Sequence, residues 1–293
     1  MSKEWSGQGR RIAGVAGGFL AIAGLGFMTQ WFDFLMAAPP KTNLVAVENH
    51  RGQVAEANQT TDATVAQKNS TDAYFDQGYA FSQQRDWKNA ETGHRESIRL
   101  NPKNDSAYNS LGEALYYQGK LEEAIAAYQK AISLNPKNDS AYNNLGLVLA
   151  EQGKLDEAIA AYRKAISLNP SDGSTYNNLG VALAEQGKLN QAIAAYQKAI
   201  SLNPSDDGAY NNLGVSLAEQ GNMDQAIAAY REAISFNPKN VSAYHNLGVD
   251  LAKQGKTDEA IAAYQKAREL YRSQGNTQMA DQITQLLEKL NSR

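Results

Sequence analysis

A 34-residue period runs through most of this chain and constrains its fold more than any other feature. Five of the seven prolines, Pro102, Pro136, Pro170, Pro204 and Pro238, follow one another at that interval. Gly78, Gly112, Gly146, Gly180, Gly214 and Gly248 keep the same step, as do Ala90, Ala124, Ala158, Ala192, Ala226 and Ala260. Residues 139–172 and 173–206 are identical at 27 of 34 positions. A period of this length marks a stack of small units that share one continuous core.

Each unit reads as two helices. In 139–172, Asp139 and Ser140 offer cap chemistry, and Tyr142, Leu145, Gly146 and Leu149 then recur every three or four residues. Gly153-Lys154 punctuates the unit, and Asp156, or Asn190 in the next copy, opens the second helix. Ala158, Ile159, Tyr162, Ala165, Ile166 and Leu168 form its apolar stripe, and Asn169-Pro170 ends it, because proline disfavours helix in the residue before it. Glycine inside a helix costs about 1 kcal/mol relative to alanine. Its return in every first helix therefore predicts an approach of paired helices too close for a Cβ. Tyr128, Tyr162, Tyr196, Tyr230 and Tyr264 are expected to fill the gaps between neighbouring units.

The set Tyr142-x-x-Leu145-Gly146-x-x-Leu149, then Ala158, Tyr162, Ala165 and Pro170, resembles the tetratricopeptide repeat family. The resemblance covers residues 71–274 as six units: 71–104, 105–138, 139–172, 173–206, 207–240 and 241–274. It implies an all-α, right-handed superhelical solenoid of six helix–turn–helix repeats. The ends depart from the pattern, as solenoid ends do. Gln77, His94 and Ser97 replace Leu, Tyr and Ala in the first unit, and Arg272 stands at the last proline position. Met279, Ile283, Leu286, Leu287 and Leu290 share one face within 275–293, which predicts a capping helix.

Composition narrows the function. The chain holds 28 Lys+Arg, 31 Asp+Glu and no cysteine. Disulfide scaffolds, Cys-bound zinc, iron–sulfur clusters and thiol catalysis drop out. Residues 71–293 carry 22 basic and 26 acidic side chains, so a nucleic-acid partner is not expected. His50, His94 and His245 lack companions for a metal site, and no phosphate loop or nucleophile elbow is present. The expectation is a non-enzyme with no cofactor and no metal.

The first seventy residues carry an address. Residues 1–11 hold Lys3, Arg10 and Arg11, and residues 12–28 contain no charge. Extended through Trp31, Phe32 and Phe34 to Ala38, the segment 12–38 is long enough to span a bilayer of about 30 Å. The basic residues before it place the N-terminus in the cytoplasm and the repeats on the far side. A cleaved signal, leaving an exported soluble protein, is the alternative. Gly14 and Gly18 form a small-xxx-small pair suited to weak self-association of two anchors. Residues 39–70 read as a flexible linker.

Beyond the packing residues, Asn-Asn repeats. Asn143-Asn144, Asn177-Asn178 and Asn211-Asn212 precede Leu-Gly, followed by His245-Asn246. First helices of stacked units line the inside of such a superhelix, so Asn144, Asn178, Asn212 and Asn246 predict a ladder. An amide offers donor and acceptor together and suits the backbone of an extended peptide. The arrangement resembles the Asn ladder of the O-linked N-acetylglucosamine transferase superhelix, without its catalytic domain. Leu147, Val181, Val215 and Val249 lie one turn on, and Glu151, Glu185 and Glu219 add an acidic rung. Together these residues predict a groove for extended, apolar and basic partner segments. A targeting or regulatory subunit of a separately encoded enzyme, such as a glycosyltransferase, is the second expectation.

Overall fold

The computed structural model describes residues 59–291. Among them are thirteen helices and no strand. The expected anchor 12–38, the pair Gly14 and Gly18, and most of the linker 39–70 lie outside the described residues. No described helix is long and apolar enough to cross a membrane.

The described residues divide into two compact units, one ending at Pro170 and one beginning at Ser171. The first holds α1 (Gln59–Gln83), α2 (Trp87–Leu100), α3 (Asp105–Tyr117), α4 (Leu121–Leu134), α5 (Asp139–Glu151) and α6 (Leu155–Leu168). The second holds α7 (Gly173–Glu185), α8 (Leu189–Leu202), α9 (Asp207–Glu219), α10 (Met223–Phe236), α11 (Val241–Lys253), α12 (Thr257–Ser273) and α13 (Thr277–Asn291). Within each, helices pair in chain order, and successive pairs lie against one another. Odd-numbered helices of neighbouring pairs also touch: α1 with α3, α3 with α5, α7 with α9, and α9 with α11.

Helix α1 begins at Gln59, twelve residues before the first expected unit, so the end of the expected linker is helical. No glycine or proline lies between Gly52 and Gly78. Once the packed turn near Thr71 forms, each further residue adds a hydrogen bond at little cost.

The caps differ from the expected residues. Asn138 is the N-cap of α5, its Oδ1 accepting from the Ala141 N–H at 2.9 Å. Asp139 is already helical, and its carboxylate accepts from Asn169 Nδ2 at 3.0 Å, which ties the end of α6 back to the start of α5. Asp105 does the same for Asn135 and Asn138, at 2.9 and 3.0 Å. The second helices start one residue earlier than expected, at Leu155 and Leu189, after a Lys that makes no side-chain cap bond. Gly153 makes that turn with φ +73°, where a side chain would be strained. Arg85, with φ 59°, occupies the equivalent place in the first unit.

Gly112, Gly146, Gly180, Gly214 and Gly248 sit under tyrosine rings, whereas Gly93 faces the backbone of Gly78. A Cβ on Gly146 would come within 2.7 Å of Tyr162 Cε1, and one on Gly180 within 2.5 Å of Tyr196 Cε1. These tyrosines are 1% and 0% exposed. The large ring therefore packs inside its own unit, and the glycine is the seat that admits it. The ring's outer end also meets the next repeat, as expected: Tyr230 Oη donates to Asp250 at 3.3 Å, and Tyr128 shares a core with Val148 and Leu145. His94 takes the same seat above Gly78 and is fully buried. Ser97 replaces the usual alanine and donates its hydroxyl to the Thr71 carbonyl at 3.2 Å.

At the C-terminal end, α13 packs on α12. Met279, Ile283 and Leu287 are buried, and Leu286 and Leu290 lean on the same cluster.

Candidate peptide-binding face

The Asn-Asn dipeptides fall on the odd helices because each first helix places them three and two residues before its glycine. The structure gives their amides a role inside the fold. Asn144 Nδ2 donates to Asn109 Oδ1 at 3.2 Å, joining α5 to α3. Asn212 Nδ2 donates to Asn177 Oδ1 at 3.1 Å, and Asn246 Nδ2 to Asn211 Oδ1 at 3.0 Å. Asn211 Nδ2 in turn reaches Asn212 Oδ1 at 3.4 Å. The second asparagine of one repeat therefore bonds the first asparagine of the repeat before it. The spacing carries this signal: neighbouring Asn residues in three successive copies leave two of them 35 residues apart, one repeat plus one.

Burial sorts the predicted residues. Asn211 and Asn212 are 1% and 6% exposed and are withdrawn from any partner. Asn143, Asn144, Asn177, Asn178 and Asn246 are half-buried. Val181 and Val215 are buried too, Val215 within the core shared by α9 to α13. Leu147 and Val249 are half-buried and keep a face towards solvent. Of the expected apolar residues, Leu147 in the first unit and Val249 in the second are thus open, and Val181 and Val215 are closed.

His245 was expected on the groove and is instead buried. Its ring lies 6.1 Å from that of Tyr264, and its Nδ1 has no hydrogen-bond partner. Asn109, Asn177 and Asn211 at this position accept an amide N–H from 35 residues on. Here that residue is Ala280, which has no donor to give. Burial lowers the His245 pKa.

The acidic rung stays outside. Glu151, Glu185 and Glu219 are exposed, and each is the last residue of its helix, α5, α7 and α9. Desolvation by the surrounding helices raises the carboxyl pKa of Glu185 and of Glu219. Tyr116 on α3 hydrogen-bonds the Glu151 carboxylate, and its phenol pKa is raised, first by burial and then by that charge.

Sequence reasoning missed Asp250. It is 2% exposed on α11, accepts from Tyr230 Oη at 3.3 Å and from Lys253 Nζ at 2.8 Å. Lys253 stands where the rung has glutamate in the preceding copies. Ala114, Val148, Ala182 and Ser216 occupy the Asp250 position elsewhere, and that contrast was readable from the repeat alone.

Paired helices of 13 or 14 residues, a glycine of one under a tyrosine of the other, and a 34-residue step define a tetratricopeptide-repeat protein. The chain belongs to the family described as the cilia and flagella-associated protein 70 C-terminal domain, matched over residues 41–239, and residues 241–280 match the tetratricopeptide repeat itself. No curated protein matches the chain significantly. Among solved structures it is similar to MamA, at 31% identity and a TM-score of 0.52, over 56% of this chain and 96% of that one. It is also similar to YrrB, described as a TPR protein with an unusual peptide-binding site. That match has 25% identity and a TM-score of 0.51, over 64% of this chain and 97% of that one. PilF of Pseudomonas aeruginosa shares the fold at 20% identity and a TM-score of 0.63, over 74% of this chain and 99% of that one.

Proposed function

We propose that this chain is a non-catalytic interaction module that holds an extended, basic segment of a partner protein. The faces of α3 and α5 in the first unit, and of α7, α9 and α11 in the second, each offer a surface for such a segment. One observation carries the reading. Glu151, Glu185 and Glu219 each end a helix and remain exposed. A carboxylate there opposes the helix dipole by about 0.3–1 kcal/mol, so helix stability does not account for Glu185 and Glu219 at equivalent ends of neighbouring helices in the second unit. A row of partner cations does. Leu147 and Val249 add apolar contact, and the half-buried Asn144 and Asn246 keep amide capacity for a peptide backbone. The peptide-binding site named for YrrB supports a peptide as the class of ligand. The module is membrane-anchored through residues 12–38, with the N-terminus cytoplasmic, a reading supported by the uncharged stretch after Arg10-Arg11.

The test is a pair of labelled twelve-residue peptides, one alternating Arg and Val, the other Glu and Val. They are titrated into the full chain in detergent by fluorescence anisotropy. Wild type should favour the Arg peptide by about tenfold or more, and the variant Glu151→Lys/Glu185→Lys/Glu219→Lys should favour the Glu peptide. Equal affinities in both proteins would overturn the basic-segment reading.

A further inference from the structure

The repeat supplies its own control for what packing requires. Five side chains of the first unit depart from it at one place. Arg85, Trp87, Glu113, Tyr116 and Tyr117 stand where 139–172 has Gly153, Leu155, Leu147, Ala150 and Glu151, each shifted by one or two repeats. Other copies fold with the smaller or simpler residues, so helix pairing does not demand these five.

Three of the five are aromatic and cluster together. Trp87 at the start of α2 stacks on Tyr117 at the end of α3, with ring centroids 4.2 Å apart and planes 18° apart. Tyr116 meets Tyr117 edge-on at 5.2 Å and 61°. All three rings are half-buried, and stacking uses only one face of Trp87 and one of Tyr117. Glu113, one turn before Tyr117, is half-buried on the same stretch of helix. Glu151 reaches the group from α5 through its hydrogen bond with Tyr116. Arg85 approaches Tyr117 from the turn before α2, closely enough to act on its phenol, and does so from a left-handed backbone that other copies leave to glycine. Two carboxylates against one guanidinium leave one negative charge beside three aromatic rings.

We propose that Trp87, Tyr116 and Tyr117, with the carboxylates of Glu113 and Glu151, seat one arginine or lysine side chain of the partner segment. The ring faces attract a cation through their quadrupole, and a planar guanidinium stacks on them better than an ammonium does. Burial raises the Glu113 carboxyl pKa, so its charged form gains when a cation arrives. This site deepens the basic-segment reading and rests on it. It also names where along the face the strongest contact falls.

The experiment uses the same Arg/Val peptide with the full chain in detergent. Trp5→Phe/Trp31→Phe leaves Trp87 as the one tryptophan, since the chain has three. Trp87 emission should change saturably on titration, with the dissociation constant seen by anisotropy. Trp87→Leu/Tyr116→Ala, which installs residues that other copies carry, should keep the helical content and weaken binding on the order of tenfold. A Lys/Val peptide should bind more weakly than the Arg/Val peptide to wild type and equally to that variant. Failure of wild type to bind the Arg/Val peptide overturns the basic-segment reading and the seat with it. Binding that leaves Trp87 emission unchanged and ignores Trp87→Leu/Tyr116→Ala overturns the seat alone.

Discussion

His94 departs from the repeat's own rule, and the departure makes stability depend on pH. Tyrosine fills the equivalent seat in the later copies, whereas the His94 imidazole is fully buried with neither ring nitrogen hydrogen-bonded. Desolvation pushes its pKa down from 6.5 to about 4. An unfolded chain therefore takes up a proton below about pH 6.5 that the folded chain refuses until about pH 4. Stability is complete above that window and falls as pH drops through it, by roughly 3 kcal/mol at 1.36 kcal/mol per unit. His94→Tyr should raise the melting temperature at pH 5 more than at pH 7.5, and the gap between variant and wild type should widen continuously between those values. Parallel profiles would rule out a titrating His94. His245, also depressed by burial, supplies slope that the variant retains. The importance of glycine before Leu149 and its equivalents was legible in the sequence. Its reason was not, because a period reveals that a position is small without revealing which atom presses on it.

Helices were legible where they repeat and blurred where they do not. The glycine and proline clock placed α3 to α12, whereas α1 begins at Gln59 in a stretch of Thr, Asn, Gln and Ala with no period to read. Caps shifted by one residue because Asn138 and Asp139 are both good cap chemistries, and only backbone geometry separates them. The odd helices are held in register partly by asparagine amides, and this reverses a simple propensity argument. Alanine is the better helix former, so Asn212→Ala should be neutral or stabilising if Asn212 served only a ligand. Asn212 instead donates to Asn177 and accepts from Asn211 in a site 6% exposed. Its loss leaves buried amide groups without that partner, at about 1–3 kcal/mol. Urea denaturation should show a clearly lower midpoint for Asn212→Ala, with a smaller drop for the half-buried Asn144→Ala. Equal midpoints for wild type and Asn212→Ala would mean the amide pairs contribute nothing to the stack.

Across the whole molecule, each of the two described units is built from near-neighbour contacts alone, so stability accumulates pair by pair and no single core governs it. From the sequence, placement of this module is expected to fall to its N-terminal segment. If residues 12–38 anchor the chain, the intact protein should stay with the membrane pellet through alkaline carbonate extraction. A chain lacking residues 1–40 should appear in the supernatant with its helical content preserved. Recovery of wild type as a shortened chain in the soluble fraction would replace the anchor with a cleaved signal. The candidate face was half legible at this scale. Glu151, Glu185 and Glu219 could be expected at equivalent helix ends from spacing alone, whereas Val181, Val215 and His245 could not be known to be covered.

By itself the sequence determined the helical-repeat class, the helix pairing and the residues that pack it. These follow from a 34-residue period, a 3.6-residue turn and the sizes of Gly, Ala and Tyr, all of which are local along the chain. Tertiary structure alone decided which asparagines bond one another, which valines are closed off, and that Trp87 reaches Tyr117. Those outcomes depend on how side chains about 30 or more residues apart divide the space between neighbouring helices, and periodicity is silent on that division.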